Sequence, residues 1–311
     1  MGPIVRAKDF IPQISKPYYV SEQDFSEGFF LIVSGLFKKL IISDYLTLNY
    51  VNYVFSAPQL HTGLECLLAT YGYAIVIYCD FSGYSSIAIG IARWLGFKIP
   101  DNFNLPYRST SLQEFWKRWH ISLSSWLQDY LYIPLGGNRK GKIRTYVNLM
   151  ITMLLGGLWH GASWTFIVWG GLQGAGLAVH RKWNGMTKNK LFKNGFAYNL
   201  VAGIVTFHFV CFCWIFFKSA TFHDAFTMIH QIVYDFHADV FIQLFQNYQS
   251  VMYMMLLGYA LHFLPKKISG GLVARLDKTG VAGYVIVFLA FILLYGAFKA
   301  ATPVMPIYLQ F

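Results

Sequence analysis

Apolar residues fall in runs along this chain, at 28–45, 65–92, 145–159, 163–180, 197–217, 250–264 and 281–299. A straight helical crossing of a bilayer takes roughly 20 apolar residues. Several of these runs are shorter than that. Short or glycine-interrupted runs predict partial spans that line a cavity, because bare backbone polar groups cannot face lipid. Lys38-Lys39 interrupts the first run and predicts an interfacial rather than a spanning position for it.

The polar stretches between the runs carry the charge. The stretch 136–144 holds Arg139, Lys140, Lys142 and Arg144. The stretch 181–196 holds Arg181, Lys182, Lys188, Lys190 and Lys193, and 265–280 holds Lys266, Lys267, Arg275 and Lys278. Lys/Arg enrichment of this kind predicts three cytoplasmic loops. The stretch 218–249 has one Lys, three Asp and several His, so it is expected to face outward. Runs 145–159 and 163–180 then form a hairpin with His160 at its tip. About 15 residues at 1.5 Å each climb roughly 22 Å, which puts His160 inside the membrane or near its outer face. No internal repeat, low-complexity tract or linker divides the chain, so 1–311 reads as one membrane domain.

Composition supports this pattern. Hydrophobic residues make up 56% and charged residues only 13%, against about 25% charged in soluble domains. The aromatic content of 19% suits interfacial aromatic belts. The net charge of +11 does not indicate nucleic acid, because the cations cluster between apolar runs rather than along one face. Cys66, Cys79, Cys211 and Cys213 all lie in apolar runs without a CxxC pair. They predict buried thiols, with neither a metal site nor a disulfide framework.

Candidate chemistry begins at residues 111–133. Ser111-Leu112-Gln113-Glu114 reads as a capping box that opens a helix, which ends before Pro134-Leu135-Gly136-Gly137. In that helix His120 shares the apolar stripe of Trp116, Leu123 and Leu127 and points at the core. Trp119 precedes it. The second Trp-His pair is Trp159-His160. Gly156 and Gly157 lie one turn behind His160 and leave the helix bare there, open to a packing helix or to a substrate chain. Ser163 reads as the N-cap of the returning helix. An ionisable group at membrane depth is a functional candidate, and imidazole is a good proton acceptor near neutral pH. Asp80, inside run 65–92, is costly unless paired or protonated. It partners a histidine, orients a substrate, or locks helices through hydroxyl groups. Asn148 and Gln173 read as inter-helix hydrogen-bonding groups.

Four ordered motifs carry a resemblance. They are Tyr78-Cys79-Asp80-Phe81-Ser82-Gly83-Tyr84-Ser85, Pro100-Asp101-Asn102-Phe103-Asn104-Leu105-Pro106-Tyr107, the stretch from Phe115-Trp116-Lys117-Arg118-Trp119-His120 to Leu135-Gly136-Gly137, and Leu154-Leu155-Gly156-Gly157-Leu158-Trp159-His160-Gly161. Together, with Trp214-Ile215-Phe216-Phe217-Lys218-Ser219, they resemble the membrane-bound O-acyltransferase (MBOAT) family in its alginate O-acetyltransferase-like branch.

The resemblance implies an all-α polytopic bundle with short or re-entrant helices around a central tunnel, in the bacterial inner membrane. It implies His160 as the catalytic histidine and His120 as the second histidine of the tunnel. Asp80, Trp159, Trp119, Gly156 and Gly157 are then supporting or substrate-binding residues. The expected co-substrate is an acyl thioester such as acetyl-CoA, with no bound cofactor or metal. Expected partners are the lipid bilayer, a polysaccharide acceptor and a periplasmic acetyl-transfer protein. Alternatives are D-alanyl transfer to teichoic acid, as in a sister branch, and a non-catalytic scaffold or proton relay. Relatives carry further helices before the Gly-Pro-Ile-Val-Arg element, here residues 2–6, so the chain reads as N-terminally short.

Overall fold

A computed structural model describes residues 2–17, 19–186, 195–299, 302 and 304–307. Among these there is no strand, only an isolated antiparallel bridge between Phe103 and Trp119. The helices run α1 (Ala7–Ile14), α2 (Glu22–Leu36), α3 (Asp44–Leu46), α4 (Asn52–Ser56), α5 (Gly63–Trp94), α6 (Leu112–Arg118) and α7 (Ile121–Leu127). They continue as α8 (Lys142–Trp159), α9 (Trp164–Met186), α10 (Phe196–Lys218), α11 (Phe222–Tyr234), α12 (Phe241–Asn247), α13 (Gln249–Phe263) and α14 (Lys266–Phe298). Gly63–Trp94, Phe196–Lys218 and Lys267–Phe298 are long and apolar enough to cross a membrane.

Contacts divide the chain into two compact units: residues 1–52, 72–102 and 242–310, and residues 53–71 and 103–241 with 311. In the first, α2 opens on a capping box, Ser21 receiving the Asp24 N–H and Asp24 receiving that of Ser21. Wide π-type turns at Phe37–Ser43 and Thr47–Val51 continue it through α3 to α4. Small residues let α2 lie directly on α5. A Cβ on Gly35 would stand 2.6 Å from the Gly83 carbonyl oxygen, and one on Gly90 would stand 2.6 Å from that of Gly28. Ser26 ties α2 to α14 through Asp277 (2.6 Å) and Tyr284 (2.7 Å).

Lys39 is buried within the first unit. Its ammonium lies 2.6 Å from Asp44 and 2.7 Å from Asp80. A cation held by two carboxylates no longer has to reach the interface. Lys38 is satisfied similarly, by the Ser86 hydroxyl at 2.8 Å.

The stretch 265–280 is also helical, not a loop. Pro265 precedes the first helical residue, Arg275 and Lys278 are solvent-exposed, and the helix bends only at Gly280 (φ 59°). Its charge marks a solvated helix face.

In the second unit, α8 and α9 form the expected hairpin. Ser163 caps α9 by accepting the Thr165 N–H at 3.3 Å. The stretch 218–249, read as a loop, contains α11 in this unit and α12, most of which belongs to the first. Thr221 and Asp224 form a capping box at the start of α11.

Candidate active site

The site begins with a helix that breaks. Ser111 caps α6 by accepting the Glu114 N–H at 3.1 Å. The Glu114 carboxylate turns instead to Thr110, whose N–H and hydroxyl donate at 2.9 and 3.0 Å. Burial raises the Glu114 pKa, but the Thr110 donors and Arg118 outweigh it and hold the carboxyl below its usual range. The helix expected over 111–133 then stops at Arg118. The Arg118 carbonyl accepts from the Asn104 N–H at 2.9 Å, so it is diverted from helical pairing. His120 follows with φ 44° and ψ 54°, a left-handed conformation that a non-glycine residue adopts only where the surroundings impose it. α7 restarts at Ile121 in a new direction. The side chain of His120 remains buried, at 4% exposure.

Trp119 wedges the break. Its ring stacks on Phe115 at 5.6 Å and meets Trp214 at 5.1 Å and Phe103 at 5.0 Å. Trp214 stacks on Trp169 at 5.9 Å. Trp169 meets the His160 imidazole edge-to-face at 5.2 Å, and Phe217 meets it at 5.2 Å from another side. An unbroken aromatic wall therefore links Trp119 of one pair to His160 of the other, and His120 lies within electrostatic reach of His160.

His160 closes α8 as its C-cap, its N–H donating to the Gly157 carbonyl at 3.0 Å. The imidazole is 5% exposed and lines a cavity of about 420 Å³ with Gly156, Trp169 and Met153. The two glycines behind His160 divide the alternatives left open by the sequence. Gly157 faces α9, where a Cβ would run into the Phe166 carbonyl, so its bareness serves helix packing. Gly156 faces the cavity, with Leu127 at 3.4 Å. Tyr132 lines the same cavity. Burial raises its phenol pKa and the nearby Arg181 charge partly offsets this.

Other expected residues lie elsewhere. Trp159 is 60% exposed, packs on Trp126 at 6.0 Å and is not among the cavity's lining residues. Asp80 belongs to the first unit, where it pairs with Lys39 and accepts the Ile307 N–H at 2.9 Å. Its surroundings are those of a helix lock, though the partners are a lysine and a backbone amide rather than hydroxyl groups. Asn148 ties α8 to the preceding loop by donating to the Gly137 carbonyl at 3.0 Å. Gln173 joins α9 to α6 by accepting from Trp116 Nε1 at 3.1 Å. Phe166, Trp169 and Phe217 enclose His160 without a local sequence signal, since their roles depend on which helices meet. The Trp169 indole N–H is buried with no acceptor among the described residues.

The model of the membrane-bound O-acyltransferase family matches residues 1–223. A peptidoglycan O-acetyltransferase of Helicobacter pylori is 38% identical over 234 residues, 75% of this chain and 44% of the relative. A probable alginate O-acetylase AlgI of Pseudomonas aeruginosa is 40% identical over 227 residues, 73% of this chain and 42% of the relative. A teichoic acid D-alanyltransferase of Bacillus subtilis is 30% identical over 238 residues, 71% of this chain and 58% of the relative. The chain thus spans about half the length of the curated relatives it matches. With its long apolar helices and this family match over most of its length, the chain is a membrane protein and belongs to the membrane-bound O-acyltransferase (MBOAT) family.

Proposed function

We propose that the protein is an O-acetyltransferase that crosses a bacterial inner membrane several times. It moves acetyl from a cytoplasmic thioester such as acetyl-CoA towards a hydroxyl of an exported polysaccharide, directly or through a periplasmic acetyl-transfer protein. One observation carries this reading. His160, buried among aromatic rings, is the titratable base at the wall of a cavity able to hold a substrate chain.

The chemistry follows from those groups. The acceptor hydroxyl attacks the thioester carbonyl while the His160 imidazole takes its proton. The C–O bond forms, the carbonyl oxygen gains negative charge, and the C–S bond then breaks. The leaving thiolate recovers the proton from the imidazolium, giving ester and free thiol. The developing oxyanion needs a donor, and the uncommitted Trp169 indole N–H supplies one. His120, buried at the helix break and not among the cavity's lining residues, has a supporting role. The similarity to proteins named for O-acetyl transfer to alginate and peptidoglycan favours acetyl as the group transferred.

His160→Ala is expected to lower acetyl transfer by about 10²–10⁴-fold, the usual contribution of a general base, with the amount of protein in the membrane unchanged. Labelled acetyl-CoA and purified protein measure it. Near wild-type transfer by the variant overturns the assignment.

A further inference from the structure

We infer that residues 266–279, the first half of α14, lie along the cytoplasmic surface of the bilayer as an amphipathic helix. Lys267, Arg275 and Lys278 bind the headgroups of anionic phospholipid there. The segment lies beyond residues 1–223, where the family match ends, and the acyl-transfer reading gives it no role.

Protein contacts alone support this helix poorly. Among residues 267–279 only Leu276 is buried. Gly270 and Gly271 stand side by side in mid-helix, and a Cβ added to either would meet nothing within 4 Å. Glycine is a weak helix former, and an isolated helix of this length is marginal in water. A surface that receives one side of the helix supplies the missing support.

The residues sort into three sectors at helical spacing. One faces the rest of the first unit: Leu276 is buried, and Asp277, the one acid in the segment, accepts from the Ser26 hydroxyl at 2.6 Å. A second holds Ile268 and Leu272, one turn apart and 47% and 48% exposed. The third follows at intervals of four, four and three through Lys267, Gly271, Arg275 and Lys278, and all three cations are exposed. Exposed aliphatic side chains flanked by a basic stripe mark a helix that lies in the membrane interface. The aliphatic groups enter the acyl boundary while the cations stay in the hydrated phosphate layer.

Gly280 lets the chain change direction. Its φ of 59° and ψ of −154° are not helical, so the interfacial helix and the span that follows need not share an axis. Beyond it Val281, Val285, Ile286, Leu289 and Leu293 are exposed, as on a lipid-facing span. The basic helix therefore sits at the foot of a membrane crossing. Its cations assign it to the cytoplasmic side, where the leaflet surface is negative.

The test reads amide hydrogen exchange across 268–279 in the full chain. The protein is placed in nanodiscs of phosphatidylcholine alone or mixed with phosphatidylglycerol. A cation near an anionic surface contributes about fivefold in binding, so three cations should slow exchange about 100-fold when phosphatidylglycerol is present. The combined Lys267→Gln, Arg275→Gln and Lys278→Gln variant should lose that gain. Lys267→Arg with Lys278→Arg should keep it, because the attraction depends on charge. Molar salt should remove most of it. Exchange across 284–296 should be the same in every sample, which shows that the variants fold. A fluorophore on Leu272→Cys, introduced beside four buried native cysteines, should be quenched by brominated acyl chains. Equal exchange in the two lipids, or a gain that survives the triple substitution, overturns the proposal. Slowing by free glycerol phosphate in phosphatidylcholine discs would assign the cations to a soluble phosphate instead. Slowing confined to discs that hold two copies would assign the face to self-association, and either result sinks the lipid assignment.

Discussion

Lys39 pairs with two carboxyl groups at once, and all three groups are almost fully buried. Removing one partner from such a cluster leaves unpaired charge in a low-dielectric interior, which costs about 3–5 kcal/mol. Lys39→Met should therefore lower the unfolding midpoint in detergent sharply. Adding Asp44→Asn and Asp80→Asn should recover much of the loss, because no buried charge then remains unpaired. A single variant as stable as the wild type would show that the ion pairs contribute nothing. The sequence makes Asp80 and Lys39 legible as two separate oddities, 41 positions apart. It does not make them legible as each other's answer, because the partner of a buried charge is fixed by which helices meet. His120 is similar. It is buried as expected, but not by the helical stripe that predicted this, because the helix breaks there and Asn104 claims the Arg118 carbonyl. Nothing local to residues 111–133 announces that contact.

At the scale of elements, the α8–α9 hairpin separates packing from chemistry in two adjacent glycines. Gly157→Ala should push the helices apart and cost about 1–3 kcal/mol, as overpacking does. Gly156→Ala meets only the flexible end of Leu127, so stability should hold or rise by up to about 1 kcal/mol. Acetyl transfer by that variant should still fall, because the methyl group projects into the His160 cavity. Unfolding midpoints and transfer rates measured on both variants check this, and the reverse pattern would sink it. The apolar runs mark these helices to within a few residues where the run and the helix coincide: 145–159 against Lys142–Trp159, and 197–217 against Phe196–Lys218. They do not mark α11, whose signal is the short capping pair Thr221 and Asp224. They also miss the first half of α14, whose charged residues sit on a solvated face and imitate a loop.

For the molecule as a whole, charge asymmetry makes a prediction about sidedness. The cations of 136–144 assign that loop to the cytoplasm, and 218–249 to the outside. Gly141 and Ala238 are both exposed, and all four native cysteines are buried, so introduced thiols should label over a low background. A membrane-impermeant maleimide added to intact cells should modify Ala238→Cys and spare Gly141→Cys until the cells are opened, and the opposite result would invert the topology. The glycines between α2 and α5 bear on how the first unit can move. Gly28 and Gly35 repeat at the same interval of seven as Gly83 and Gly90, and each meets the other helix where only hydrogen fits. A slip of α2 by one turn would bring Leu31 or Ile32 into those places and drive a branched side chain into backbone. The register is thus toothed like a ratchet rather than smooth like a slide. Any rearrangement of this unit carries α2 and the part of α5 that faces it together as a single beam.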